Sequence, residues 1–218
     1  MLNSSYRHRA VSGWLKENHP IQFNSDLKLQ KFLFFYEAQC ETEDGSAHFN
    51  SLKGYKNGPV FSDVFGDFKY DYHEFDENVT RLFHDCPEHV DIPKAKLASF
   101  LVRTMTEDEL SILTHEFNIW KAKEHRILQN EKNVPLSRND FNENDKSLIN
   151  SFCESYTEEF IDSIVVLEVL GKSFVIEKSD YSILSDDQRL VFLQLAQQEE
   201  LVNPVYITIS EDGVILVD

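Results

Sequence analysis

Residues 24–40 read NSDLKLQKFLFFYEAQC, and how this stretch is read decides the fold. Leu29, Phe32, Leu33 and Tyr36 recur at helical spacing, and Asn24 or Ser25 offers a side chain able to cap the start. Phe34 and Phe35 widen the apolar stripe around the helix. A helix that is apolar nearly all round is buried nearly all round. The stretch therefore predicts a central helix around which the other elements pack.

Upstream, Tyr6, Ala10, Val11, Trp14 and Leu15 predict a first helix that stops near Pro20. Downstream, residues 41–48 are polar and loop-like. Residues 54–61, GYKNGPVF, then place a hard break between apolar runs. Gly58 supplies a positive φ, and Pro59 fixes its own φ and brings no amide hydrogen. The expectation is a sharp entry into a short helix, with Pro59 in its first turn and Val60, Val64, Phe65 and Phe68 as its apolar stripe. Residues 70–92 are acidic and rich in aromatics and histidine, with little periodicity. Residues 93–105 look helical. Thr106 and Glu109 form a capping-box pattern that opens a helix carrying Leu110, Leu113, Phe117 and Trp120.

Residues 130–143 read as a polar loop. A long helix is expected from about Asn144 to Gly171, with Gly171 as its C-cap. Residues 172–178 then read as a strand, and Ser185 with Gln188 is a second capping-box pattern. VYITIS and VILVD flank EDG in the manner of a hairpin. The fold class expected is α+β, mainly helical: a compact helical body over 1–170 and a small α/β extension, strand–helix–hairpin, over 171–218.

The length, 218 residues with 41% hydrophobic and 12% aromatic, suits one domain with an added subdomain. The formal charge is −17, with 12 Lys/Arg against 18 Asp/Glu up to residue 109 and 9 against 20 beyond it. Such acidity repels phosphate backbones, so direct nucleic-acid binding is not expected; KAKEHR at 121–126 is the nearest approach to a basic cluster. The plainer reading of this charge is solubility, and the sharper one is attraction of a basic partner. The three cysteines, Cys40, Cys86 and Cys153, are far apart and odd in number, which is not a disulfide framework. No run has the length of a membrane span and the N-terminus lacks a signal-type apolar core, so a cytoplasmic protein is expected.

Residues 84–89, HDCPEH, are the one metal-like cluster. His84, Cys86 and His89 are zinc-ligand types, with His73, Asp85 or Glu88 able to complete a set of four. Their spacing matches no zinc signature, and coincidence in a loop is the plainer reading. The sequence has no phosphate-binding glycine loop, nucleophile elbow or His-Glu-x-x-His pattern, and no cofactor is expected. His115 and Trp120 lie five apart and do not share a helical face well. His115 has no identifiable catalytic partner and is read as a histidine bonded to the 57–59 loop, with Trp120 as core or groove wall. Gln30 and Lys31 interrupt an apolar helix. Either they make polar contacts across the module or to a partner, or Lys31 faces solvent and Gln30 satisfies a backbone group of the next loop. Asn57, Gly58 and Pro59 are a binding edge or simply fold punctuation.

Three ordered blocks carry a resemblance. LKLQKFLFFYEAQ at 27–39 resembles the KLQKLLYFAQ stretch of the Panacea (SocA-like) antitoxin domain, a phage-associated family. GYKNGPVFSDVFGDF at 54–68 resembles its AW-x-x-GPV-x-x-x-VY-x-x-F segment, and LTHEFNIW at 113–120 its LTH-x-x-x-x-W segment. The resemblance covers residues 5 to about 160. Tyr55 stands where Trp is usual, Phe65 where Tyr is common, and Phe35 and Tyr36 alter the end of the first block. The tail from about 170 has no counterpart.

The resemblance implies an antitoxin-like module that neutralises a toxin protein by direct contact, in some relatives by delivering it to a protease. The motif positions carried over are Gln30, Lys31, Tyr55, Asn57, Gly58, Pro59, Val60, His115 and Trp120. With only a few residues ahead of the module in this sequence, the N-terminal DNA-binding domain that some relatives carry is not expected. The tail is then a partner-specificity element, and removing 172–218 is expected to abolish capture while the body stays folded. The alternatives are a metal-dependent hydrolase using the 73–89 histidines and a phage-encoded regulatory or counter-defence binding protein.

Overall fold

The computed structural model describes residues 1–210 and 212–217. Helices α1 (Tyr6–Asn18) and α2 (Pro20–Phe23) lead into the central helix α3 (Asp26–Glu43). Strands β1 (Leu52–Tyr55) and β2 (Gly58–Phe61) form a hairpin, followed by α4 (Ser62–Tyr70), α5 (Tyr72–Asp85), α6 (Ile92–Thr104) and α7 (Glu107–His115). The short helices α8 (Asn118–Lys121) and α9 (Glu124–Leu128) precede β3 (Val134–Pro135), α10 (Glu143–Ser155) and α11 (Glu158–Ser163). The C-terminal unit holds β4 (Ile164–Val169), β5 (Lys172–Glu177), α12 (Lys178–Ile183), α13 (Asp186–Leu195), β6 (Val205–Ile209) and β7 (Ile215–Val217). The first sheet has the order β2-β1-β3, all antiparallel. The second has the order β4-β5-β6-β7, with β5 and β6 parallel. The fold is mainly helical α+β, as the sequence predicts. No helix among the described residues is long and apolar enough to cross a membrane.

Ser25 caps α3: its hydroxyl accepts from the Lys28 amide at 3.1 Å. From Lys28 to Cys40 every residue of α3 is buried, so it is the axis of the main core. Both expected capping boxes form, Thr106 with Glu109 and Ser185 with Gln188. Helix α1 lies against α5 at Gly13, where a Cβ would overlap the Val79 carbonyl. Two buried carboxylates tie the N-terminus down. Asp67 accepts from the amides of Asn3 and Ser4 at 2.9 and 2.8 Å and from the Ser4 hydroxyl at 2.6 Å. Glu37 accepts two bonds from Arg7, at 2.9 and 3.1 Å, and one from the His48 amide at 2.8 Å.

Several expectations are corrected. Pro59 is not in the first turn of a helix but in β2, opposite Gly54. The break is a two-residue hairpin turn at Lys56 and Asn57, with Gly58 at φ +101°, and the helix begins only at Ser62. Residues 72–85 are a helix with Phe75, Val79 and Leu82 buried along one face. The helix opened by Thr106 stops at His115, and Phe117 sits ahead of a separate turn, α8. Val134 and Pro135 of the expected polar loop pair with β1.

The long helix from Asn144 to Gly171 does not exist. It breaks at Tyr156, restarts when Thr157 caps α11, and gives way at Ile164 to a strand. β-Branched Ile164, Val165 and Val166 favour the pleated surface. Leu170 at φ +49° and Gly171 at φ +81° form the tight turn to β5, so Gly171 is a hairpin residue and not a C-cap. In the terminal hairpin, Glu211 and Asp218 lie outside the described residues. The C-terminal unit is fastened to the body. Val175 of β5 and Ile164 share an apolar cluster with fully buried Phe100, and the Ser173 hydroxyl donates to the Arg103 carbonyl at 3.0 Å. A cut at 172 strips β4 of its partner and uncovers Phe100; a truncation that respects the sheet ends before Ile164.

Candidate functional site

The residues singled out in three separate blocks meet around the Lys56–Asn57 turn. From α3, the Gln30 side-chain oxygen accepts from the Phe61 amide at 2.7 Å, satisfying a backbone group on the outer edge of β2. Lys31 reaches past it, and its ammonium donates to the Asn57 carbonyl. This corrects the solvent-facing reading: Lys31 is 1% exposed. Pro59, buried beside it, has no amide to leave unpaired. The free edge of the hairpin is thus closed by one glutamine, one lysine and one proline, which keeps an edge strand from pairing with another chain.

Gly58 is required here for two independent reasons. Its φ lies in the region where side chains are strained, and a Cβ would overlap both the Lys31 ammonium and the Thr114 hydroxyl. Thr114, from α7, is buried, and its hydroxyl donates to the Leu110 carbonyl at 2.9 Å.

On the far side of the turn, the helix break after α7 swings Trp120 back under His115. Their rings stack with centroids 3.9 Å apart and planes 19° apart, although on a continuous helix they would not have met. Trp120 is buried and donates from Nε1 to the Tyr55 carbonyl at 3.0 Å. Tyr55 in turn donates from its hydroxyl to Asn133 at 3.0 Å. His115 is held below its ordinary pKa by burial and by the neighbouring Lys31 charge, with the Lys56 backbone pulling the other way.

Burial also pushes Lys31 down to about 7. No carboxylate enters as a cause, so the amine's environment is a desolvated one with a carbonyl partner.

Beside this clamp lies an open groove of about 470 Å³. Of the motif residues, Gln30, Lys31, Tyr55, Asn57 and Val60 line it. Asp26, Leu27, Lys56 and Phe65 complete it, and these the sequence reading did not name as site residues. Their signal was adjacency: Leu27 and Phe65 stand inside the quoted blocks and are only half-buried, although each sits in an apolar pattern. Gly58, Pro59, His115 and Trp120 stand behind the wall and hold it. The groove surface is mostly apolar, with a lysine and an aspartate at its rim. Its volume and mostly apolar lining suit the burial of an apolar group.

The metal-like stretch separates. His84 is turned toward Glu17, 3.8 Å away, and His73 toward Glu77, 3.5 Å away, so neither joins Cys86 and His89. The helix α5 carries His73 and His84 along its surface, whereas the loop reading had clustered them. Among the described residues, the ligand-type group that does assemble is Cys86, Glu88 and His89, within 4.8 Å of one another on an exposed turn. No protein-family model matches the chain, and no curated protein or solved structure matches it either.

Proposed function

We propose that this chain is an antitoxin-like binding module that neutralises a toxin protein by direct contact, with the groove beside the Lys56–Asn57 turn as its docking site. The observation that carries the reading is the convergence of the three motif blocks: residues from 27–39, 54–68 and 113–120 build one wall and one clamp. A turn fixed by Lys31, Gln30 and Trp120 presents half-buried Tyr55 and Val60 beside half-buried Leu27 of α3 and Phe65 of α4, with little conformational freedom left to lose on binding. The charge of −17 supports a basic partner, because complementary charge speeds encounter.

The test is co-expression. The open reading frames adjacent to this gene are expressed singly in a heterologous host, with and without this protein. One small neighbour that arrests growth alone and is harmless together with this chain, and that co-purifies with it at equal stoichiometry, supports the proposal. Neighbours that are harmless alone, or whose toxicity this chain leaves untouched, sink it. A partner captured without any toxicity of its own would favour the regulatory or counter-defence role instead.

A further inference from the structure

A second cleft, of about 440 Å³, opens between the helical body and the C-terminal sheet. The body contributes His19, the α2 turn and Arg103 at the end of α6; the C-terminal unit contributes β4 from Val166 to Val169, with Arg189 and Phe192 of α13. In a chain of net charge −17 this lining is cationic. Arg103 is half-buried, and burial alone accounts for the lowering of its pKa; no carboxylate enters as a cause. Its backbone carbonyl is bonded to Ser173, but its guanidinium has no hydrogen bond or ion pair among the described residues.

Arg189 makes no ion pair among the described residues and lies over the Tyr181 ring, 4.8 Å from its centroid. The one carboxylate in the lining, Glu168, lies 3.8 Å from the Lys28 ammonium on the body. Burial first, and the Arg103 charge second, hold His19 down at about 4, so it stands neutral beside the two arginines at pH 7.

A half-buried guanidinium that keeps some contact with water but has no anion beside it is open to an anionic ligand entering the cleft. We propose that this cleft binds a small phosphate ester of mononucleotide size, Arg103 and Arg189 taking the phosphoryl oxygens and the apolar wall of Ile21, Val166, Leu167 and Phe192 taking the ester's body. The planar fork of arginine matches phosphoryl oxygens in pairs. The volume falls in the range of small-molecule sites, and the position between two structural units is where such sites concentrate. Because the lining is drawn from both units, an occupied cleft fastens the C-terminal sheet to the body. The proposal is independent of whether the groove beside Lys31 takes a toxin.

The experiment is calorimetric titration of the full chain at low salt, with AMP and with inorganic phosphate as the probes. One AMP is expected to bind per chain, more tightly than inorganic phosphate. Arg103→Leu is expected to weaken AMP on the order of tenfold or more, as loss of a charge-assisted bond does. Arg189→Gln is expected to weaken it several-fold, while Lys121→Gln, on a remote surface, leaves it unchanged. Arg189 is exposed, so its variant decides the matter even if Arg103→Leu fails to fold. The proposal is overturned if AMP does not saturate by about 10 mM, above which Kd values carry little binding energy. It is equally overturned if the variants bind as the parent does, or if inorganic phosphate binds as tightly as AMP.

Discussion

Replacing Lys31 with methionine changes the pH dependence of stability in a direction and size that the structure fixes. In the unfolded chain the Lys31 amine has its ordinary pKa of 10.5; in the folded chain burial lowers it to about 7. Between those values the unfolded state holds more protons, so stability rises with pH. The penalty for burying this amine is complete below the folded value and is relieved progressively up to the unfolded one. Linkage gives a relief on the order of 2 kcal/mol between pH 7 and pH 9. Lys31→Met removes that dependence. It also leaves the Asn57 carbonyl without its donor, a pH-independent loss of about 1 kcal/mol.

The assay is urea unfolding of parent and variant, followed by tryptophan fluorescence at a series of pH values from 7 to 9. Taking the difference between the two proteins cancels every other titrating group that the substitution leaves alone. The parent is expected to gain on the variant by about 2 kcal/mol across this window. Parallel curves would refute the reasoning, because Lys31 would then keep an ordinary pKa and the turn would not be held by a desolvated amine.

Three further perturbations follow from the same packing. Gly58→Ala places a Cβ against Lys31 and Thr114 at a positive φ, and is expected to lower stability by about 1–3 kcal/mol in urea titration. Gly13→Ala forces α1 away from the Val79 carbonyl of α5, and a loss of about 1–3 kcal/mol with a lowered Tm is expected. Glu37 is opposed by its own burial but held below the ordinary carboxylate range by His8, Arg7 and the His48 amide. Its contribution is therefore present above the ordinary carboxylate pKa and is lost as pH falls through its lower folded value. Glu37→Ala leaves Arg7 without its carboxylate partner and is expected to cost about 3–5 kcal/mol at pH 7, with a flatter acid-unfolding profile than the parent.

Elements defined by local chemistry were legible in the sequence. Ser25, Thr106 and Ser185 announce their helices because a capping side chain bonds within three residues of itself. The terminal hairpin was legible from its Asp-Gly turn. Elements set by long-range packing were not. Residues 54–61 carry the same Gly-Pro signal whether the chain next forms a helix or a strand; β1 and the reach of Gln30 to Phe61 decide for the strand. Residues 158–169 are apolar enough to continue a helix, and only the pairing of Ile164–Val169 with β5 shows that they do not.

At the candidate site, Gln30 satisfies a backbone group, as one of its two readings expected, but on strand β2 and not in the next loop, because glutamine in an apolar helix needs such a partner. For Lys31 the sequence left two alternatives open, and the contact across the module holds over the solvent-facing one; nothing local says that a lysine beside Gln30 turns inward. His115 and Trp120 were kept apart by helical arithmetic that assumed an unbroken helix, and the break at Glu116–Phe117 brings their rings together. The cationic cleft was invisible. His19, Arg103 and Arg189 are far apart in sequence and meet only when the C-terminal sheet docks.

The measurement that tests the central claim most directly is capture of the toxic neighbour by the parent protein and by Leu27→Arg, compared in one titration. Leu27 lines the groove, half-buried at the edge of the main core, so arginine there blocks the docking site and costs some packing. The account predicts tight one-to-one capture by the parent, and loss of both capture and growth rescue in Leu27→Arg at a Tm that leaves it folded under the assay. Capture and rescue undiminished in a folded Leu27→Arg would contradict it, because the partner would then dock elsewhere on the molecule.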